Sequence, residues 1–165
     1  MHTRVLKPRH GPTLLVRPLD HGDVQTVMAV FEQFCDASRR ARFNGAKPCL
    51  SRSDLRELAA EDDLHHALVG YIEGNPIPVA IARLVRDGRD SAEIAFAVAD
   101  AHQHKGIGSA LTAELLGDAR AAGIRQITAL TSSDNHAALA LLRRTAKVLD
   151  IRFEGTDLSV RAAIA

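Results

Sequence analysis

Gln103-His104-Lys105-Gly106-Ile107-Gly108-Ser109 is the stretch on which the reading turns. It follows a β-prone run, Ala92 to Val98, and opens the longest amphipathic segment, Gly106 to Ala122. Within that segment Ile107, Leu111, Leu115 and Ala119 recur at every fourth position, on one face of a helix. N–H groups at a helix start lack an intrahelical acceptor, and the helix dipole favours an anion there. Gly106 and Gly108 have no side chain to hold a phosphate away from the backbone. Lys105 adds a mobile positive charge and Ser109 a hydroxyl donor. The loop therefore reads as a pyrophosphate cradle. Two other phosphate loops fit poorly. A dinucleotide-binding loop needs a further glycine where this chain has Leu111, and the Gly-Lys-Ser/Thr end of a Walker loop is absent.

Working outward, residues 1–12 read as a flexible leader punctuated by Pro8, Gly11 and Pro12. Thr13 to Pro18 is a short strand. Asp20 is placed to cap a following helix, with Asp23 in its first turn and Val24, Val27, Met28, Phe31 and Phe34 as its apolar stripe. Residues 36 to 50 read as irregular and basic. Ser51 and Asp54 form a cap signature ahead of Leu55 and Leu58. Ala67 to Ile72 and Ile77 to Val85 read as a hairpin around Gly74-Asn75-Pro76. The strand Ala92 to Val98 and the long helix follow, with Gly123 as the helix stop. Beyond them lie a strand at Ile127 to Leu130, a helix from Asn135 to Thr145, and closing strands at Val148 to Phe153 and Leu158 to Val160. This order predicts an α/β fold in which residues 13–165 form one domain. Its central sheet is mixed and mostly antiparallel, flanked by helices.

Composition narrows the function classes. The chain has 165 residues, 46% hydrophobic and 25% charged, as an ordinary globular domain does. A formal net charge of +1 and 4% aromatics argue against nucleic acid and anionic membranes as partners. No apolar run approaches the roughly 20 residues of a membrane span. The polar start, Met1 to His10, does not look like a signal peptide, so a cytoplasmic protein is expected. Cys35 and Cys49 are too few for a disulfide framework and read as reduced structural thiols.

The motif Gln103-x-x-Gly106-x-Gly108 resembles the Gln/Arg-x-x-Gly-x-Gly/Ala signature of GNAT acetyltransferases. The strand before it, the helix running to Ala122-Gly123-Ile124, and Asn135 at the head of the next helix look like that family's cofactor core. Ala92-Glu93-Ile94-Ala95-Phe96, Val98-Ala99-Asp100-Ala101, Ser38-Arg39-Arg40-Ala41-Arg42-Phe43, Lys47-Pro48 and Asp63 resemble bacterial Pat-type protein lysine acetyltransferases. The resemblance implies a GNAT-like fold with acetyl-CoA as co-substrate and a primary amine, a protein lysine, as acceptor. An acyl-CoA synthetase is one acceptor of that kind, and a homodimer is allowed for. The cofactor-binding set it implies is Phe96, Val98, Gln103, His104, Lys105, Gly106, Ile107, Gly108, Ser109 and Asn135. Small-amine acetylation and a non-catalytic CoA-binding module stay open as alternatives. The cyclic-nucleotide control of mycobacterial members is not carried over.

A protonated amine cannot attack a thioester, so a base is needed. Glu93 is a carboxylate in an otherwise apolar strand. Alternation puts Ala92, Ile94, Phe96 and Val98 on one face, and Glu93 with Ala95, Ala97 and Ala99 on the other. Three alanines beside one carboxylate leave a groove for thioester and amine. The resemblance also places the catalytic glutamate at Glu93. A surface or ion-paired glutamate is the competing reading, and His136 is a lesser candidate base. The helix after Asn135 lacks the tyrosine that the family often supplies as general acid, and the chain's one tyrosine, Tyr71, is far away in sequence. His65, His66, His102 and His104 read as solvated rather than as metal ligands, although the His104 N–H suits a CoA phosphate. Arg39, Arg40, Arg42 and Lys47 read as a solvated loop; the 3′-phosphate of CoA or the acceptor entrance is the alternative use.

Overall fold

The structure is a computed structural model that describes residues 3–43 and 49–164. Among the described residues eight strands form one sheet: β1 (Arg4–Leu6), β2 (Leu14–Pro18), β3 (His65–Ile72), β4 (Pro78–Arg86), β5 (Ser91–Val98), β6 (Gln126–Ser132), β7 (Lys147–Glu154) and β8 (Asp157–Ala163). Their spatial order is β1-β2-β3-β4-β5-β6-β8-β7. Every neighbouring pair is antiparallel except β5–β6. Five helices complete the fold: α1 (Val24–Phe31), α2 (Asp36–Phe43), α3 (Arg52–Leu58), α4 (Ile107–Ala121) and α5 (His136–Thr145). The expected mixed, mostly antiparallel sheet flanked by helices is present.

Helices cover both faces of the sheet, and the strand alternation shows which residues meet which helix. α4 packs on β3, β4 and β5, burying Ile107, Leu111, Leu115, Leu116 and Ala119. α1 packs on the middle of the sheet from the other side through Val27, Val30 and Phe31. Leu84 pairs with Ile94, Ala82 with Phe96 and Ala80 with Val98, so this set faces α4. Arg83, paired with Ala95, and Val85, paired with Glu93, face the α1–α3 side. Both faces are therefore apolar in mid-sheet, as a sheet sandwiched between helices requires.

Several local features differ from the sequence expectations. The α1 cap is Asp23, whose carboxylate accepts the Thr26 N–H at 3.0 Å; Asp20 lies before it. Phe34 falls after the helix but stays buried, edge-on to Phe31 at 5.0 Å. Asp36–Phe43, expected to be irregular, is helical. It lacks an apolar stripe and is held by tertiary contacts, among them Phe43 against Phe31 at 5.3 Å. Lys47 and Pro48 lie outside the described residues. Cys35 and Cys49 are exposed, so neither fills the core. Among the described residues no helix is long and apolar enough to cross a membrane.

Within the stretch read as a leader, Arg4–Leu6 forms an edge strand on β2. Arg4 is clamped to α4, its Nη1 lying 2.8 Å from both Glu114 and Asp118 carboxylates. Asp118 also accepts from His66 on β3 at 2.9 Å, and the other His66 nitrogen meets Glu61 at 2.6 Å. The Glu61 hydrogen bond, partly opposed by burial and helped by Asp118, raises the His66 pKa. Its contribution to stability is therefore full below the unfolded value of about 6.5 and is lost as pH rises through the higher folded value. The melting-temperature advantage of wild type over His66→Gln should shrink as pH is raised from 6 to 8. A gap that is constant with pH would show that the clamp does not titrate.

Candidate active site: a forked sheet and a glycine-lined helix start

β5 and β6 pair at only three positions, Ser91 with Gln126, Ala92 with Ile127 and Glu93 with Thr128. Beyond Glu93 the strands separate. Ile94–Val98 form one wall of a cavity of about 1140 Å³, and Ala129–Ser132 form the opposite wall. On the gap side the β5 backbone has no strand partner, so an extended chain bearing amides can pair with it as a strand would. Phe96 and Val98, two of the expected cofactor residues, line the cavity.

At the mouth of the fork sits the start of α4. Gly106 is its N-cap with φ +76°, and His104 has φ +59°. The first helical bond runs from the Ala110 N–H to the Gly106 carbonyl at 3.0 Å. The N–H groups of Ile107, Gly108 and Ser109 precede it and have no helical acceptor. A Cβ on Gly108 would lie 3.1 Å from Leu141 and 3.4 Å from Val98, so a side chain there would crowd the cleft. Gly106, Gly108, Ser109, His104, Gln103 and Asn135 all border the cavity.

Four expected cofactor residues contribute differently from their sequence reading. Ile107 is only 1% exposed, and its side chain belongs to the core, leaving its backbone N–H for a ligand. Lys105 does not border the cavity; its ammonium donates to the Ala101 carbonyl at 2.8 Å. Gln103 fastens the loop, its amide donating to Val98 O at 3.1 Å, Asp100 at 3.2 Å and Ser38 at 3.3 Å. Asn135 caps α5 by accepting the Ala138 N–H at 3.1 Å, which leaves its NH₂ to donate to a ligand.

Glu93 is exposed and occupies the last paired position before the strands part, beside the cavity rather than in its wall. His136 borders the cavity from α5. Tyr71 lies on β3 and accepts from Arg17 at 3.0 Å. His65 and His66 are paired to acidic groups, and among the described residues no group of three or more His, Cys, Asp or Glu is arranged to hold a metal.

Other parts of the site were not read from the sequence. The Asp100 carboxylate takes the Cys35 N–H at 2.6 Å and the Ser38 hydroxyl at 2.5 Å, tying the start of α2 to the end of β5. Burial pushes this carboxyl up, but the Ser38 and Cys35 hydrogen bonds outweigh it and hold it below the usual range. α2 thereby becomes a wall of the cavity, with Ser38, Arg40 and Arg42 on it. Arg42 is not a solvated loop residue: its guanidinium lies 5.1 Å from the Phe43 ring centre and 6.0 Å from that of Phe31. Burial, then the nearby Arg83 charge, push Arg42 down to about 10.

The acetyltransferase (GNAT) family matches residues 27–146. The acetyltransferase Pat of Mycolicibacterium smegmatis is 33% identical over 144 residues, 85% of this chain and 43% of that protein. The chain thus spans less than half the length of that curated relative. The GNAT domain of S. lividans PAT superposes with a TM-score of 0.86 at 28% identity, covering 98% of this chain and 96% of that domain. The yncA protein of Salmonella typhimurium, solved with its cofactor acetyl-CoA, shares the fold at 20% identity and a TM-score of 0.67, over 91% of this chain and 92% of that one. The chain belongs to the GNAT acetyltransferase family.

The segment before β2 lies over the glycine loop. A Cβ on Gly11 would collide with the Lys105 carbonyl oxygen, and one on Gly106 would lie 3.3 Å from both His10 O and Pro8 Cβ. Gly74, at φ +81°, has open space around the same position. Gly74→Ala should therefore cost only the backbone penalty, of order 1 kcal/mol. Gly11→Ala should lose more, because the loop must also move. Chemical denaturation of the two variants compares them, and equal losses would mean that the segment does not press on the loop.

Proposed function

We propose that the chain transfers an acetyl group from acetyl-CoA to a primary amine, a protein lysine, with Glu93 accepting the amine proton. The observation that carries this reading is the fork with a glycine-lined helix start at its mouth. The backbone N–H groups of Gly106 to Ser109, with the His104 N–H beside them, suit the pyrophosphate of CoA. From there to Glu93 the β5 wall spans ~16 Å at about 3.3 Å per residue, a length an extended pantetheine arm covers. Its amides can pair with the free edge of β5, between Phe96 and Val98 and the Asn135 NH₂. The thioester then lies toward the vertex, where Glu93 stands.

In the reaction the amine nitrogen attacks the thioester carbonyl carbon, a C–N bond forms, the C–S bond breaks, and CoA leaves as thiolate. Lysine has an unperturbed pKa near 10.4, so its ammonium must lose a proton first. Glu93 takes that proton directly or through water. α5 offers no tyrosine to protonate the thiolate, and with a thiol pKa near 8.5 the group leaves without one. The lysine acceptor rests on the resemblance to Pat-type enzymes, and an acyl-CoA synthetase is the first protein to try. Acetyl-CoA supply puts the reaction in the cytoplasm.

Two variants test the two halves of this reading. Gly108→Glu, whose Cβ would point between Leu141 and Val98, places bulk and negative charge in the cradle. Acetyl-CoA should raise the melting temperature of wild type and not of the variant; equal shifts would remove the cradle from this loop. Glu93→Gln keeps shape and removes proton acceptance. Acetyl-CoA affinity should hold while kcat falls roughly 10²–10⁴-fold, and the defect should narrow as pH rises and free amine becomes abundant. Near-normal turnover at neutral pH would move the base to His136 or to water.

A further inference from the structure

Arg83 is a cation in mid-sheet. Its residue is 6% exposed, and it stands on β4 opposite Ala95, on the face that carries Glu93. Its Nε and Nη2 are buried without a hydrogen-bond partner. The nearest carboxylate, Glu57, is 4.0 Å from Nη1 and sits on a side chain 74% exposed, a weak and solvent-screened partner. Arg42 stands on α2, which packs on β5, borders the cavity, and among the described residues also has a buried Nε without a hydrogen-bond partner. The Arg83 charge acts on Arg42, Glu93 and Glu57 act on both, and Asp62 and Glu61 act on Arg83 as well. Among the described residues no hydrogen bond or ion pair joins Glu93 to either.

Burying one cation without a partner is costly, and a second cation acting on the same region compounds the cost. The small side chains of Ala95 and Ala97 leave space over β5 at this point. An anion between the guanidiniums would satisfy both, and two planar donor forks suit a carboxylate. The 3′-phosphate of CoA belongs at the open end of the fork, with the rest of the nucleotide. Arg83 lies toward the vertex, across from the residues next to Glu93.

We propose that Arg42 and Arg83 form a carboxylate subsite that selects acceptors with an acidic side chain close to the reacting lysine. This rests on the amine-acetylation reading above and adds its specificity. The carboxylate anchors the acceptor on the α2 side of β5 while the lysine reaches over Ala95 toward the thioester. The subsite involves no chemical step.

The test uses the full chain saturated with CoA, so that the phosphate cradle is filled. Two blocked lysine peptides are titrated calorimetrically, one with glutamate and one with glutamine on both sides of the lysine. The glutamate peptide should bind roughly tenfold tighter or more, as charge-assisted hydrogen bonds allow. Arg42→Gln and Arg83→Met should each abolish that preference. Free glutarate should compete with the glutamate peptide only weakly, because it lacks the lysine. Glutarate competing as well as the peptide would make this a site for free carboxylates and overturn acceptor selection. So would equal binding of the two peptides, no binding of either, or a preference surviving in both variants. Arg83→Met also removes an uncompensated cation, so its melting temperature without peptide should match or exceed that of wild type; a clear fall would make Arg83 structural. Thiol release from acetyl-CoA with the same peptides keeps the two readings apart. Preferential binding without release would sink acetyl transfer and keep the subsite. Equal binding with release would do the reverse.

Discussion

The parting of β5 from β6 after Glu93 is the constraint on which the rest of the site depends. Two parallel strands need a crossover, and here α4 supplies it. A helix that makes such a crossover starts at the carboxyl end of the first strand and returns toward its amino end. The α4 N-terminus therefore sits at Val98, where the strands are farthest from pairing, and the chain re-enters the sheet at Gln126 beside Ser91. A helix start whose first N–H groups have no helical acceptor and an open polar strand edge thus come together through topology, at the kind of position where open α/β sheets place ligands. A sheet paired along its whole length would have kept the helix start and lost the cleft behind it.

The cleft needs a wall on the side away from α4, and α2 provides it. Isolated, Asp36–Phe43 is a poor helix: eight residues, with five polar or charged ones in Asp36, Ser38, Arg39, Arg40 and Arg42 before its one aromatic. It is fixed at one end by Asp100, which binds the Cys35 N–H and the Ser38 hydroxyl, and at the other by Phe43 against Phe31. Gln103 donates to both Ser38 and Asp100. One residue of the glycine-loop motif thus links that loop to the wall facing it, and any movement of α2 is felt at the cradle.

This division explains what was legible in the sequence. The β5 alternation, the α4 stripe, the Gly123 stop and the Ser51/Asp54 capping box are local patterns, and each is present in the fold. The edge strand at Arg4–Leu6 was not legible, because three residues carry no periodicity and their anchor is Arg4 gripping Glu114 and Asp118, more than a hundred positions away. α2 was missed for the same reason: its apolar content is too low for a stripe, and its stabilising contacts are tertiary. The glycine loop was legible as backbone chemistry, whereas side-chain direction was not. Lys105 and Ser109 look equally available in sequence, yet the Lys105 ammonium turns back to Ala101 while Ser109 borders the cavity. In sequence Arg83 reads as one polar residue near the end of an apolar strand. Its interest arises only from burial without partners beside Glu93.

Strand alternation also separates the two halves of the proposed chemistry. Phe96 and Val98 face α4, whereas Glu93, Ala95 and Ala97 face α2. A donor that enters at the α4 start meets the first set, and an acceptor on the α2 side meets the second. They can meet only where β5 has no neighbour to block passage, just past Glu93. A proton taken from the amine there must also leave between turnovers. A carboxylate sealed in the cavity would hold that proton away from water, whereas the exposed Glu93 can release it to solvent directly. The thioester needs a water-poor cleft and the base needs water, and the edge of the fork is where both conditions hold.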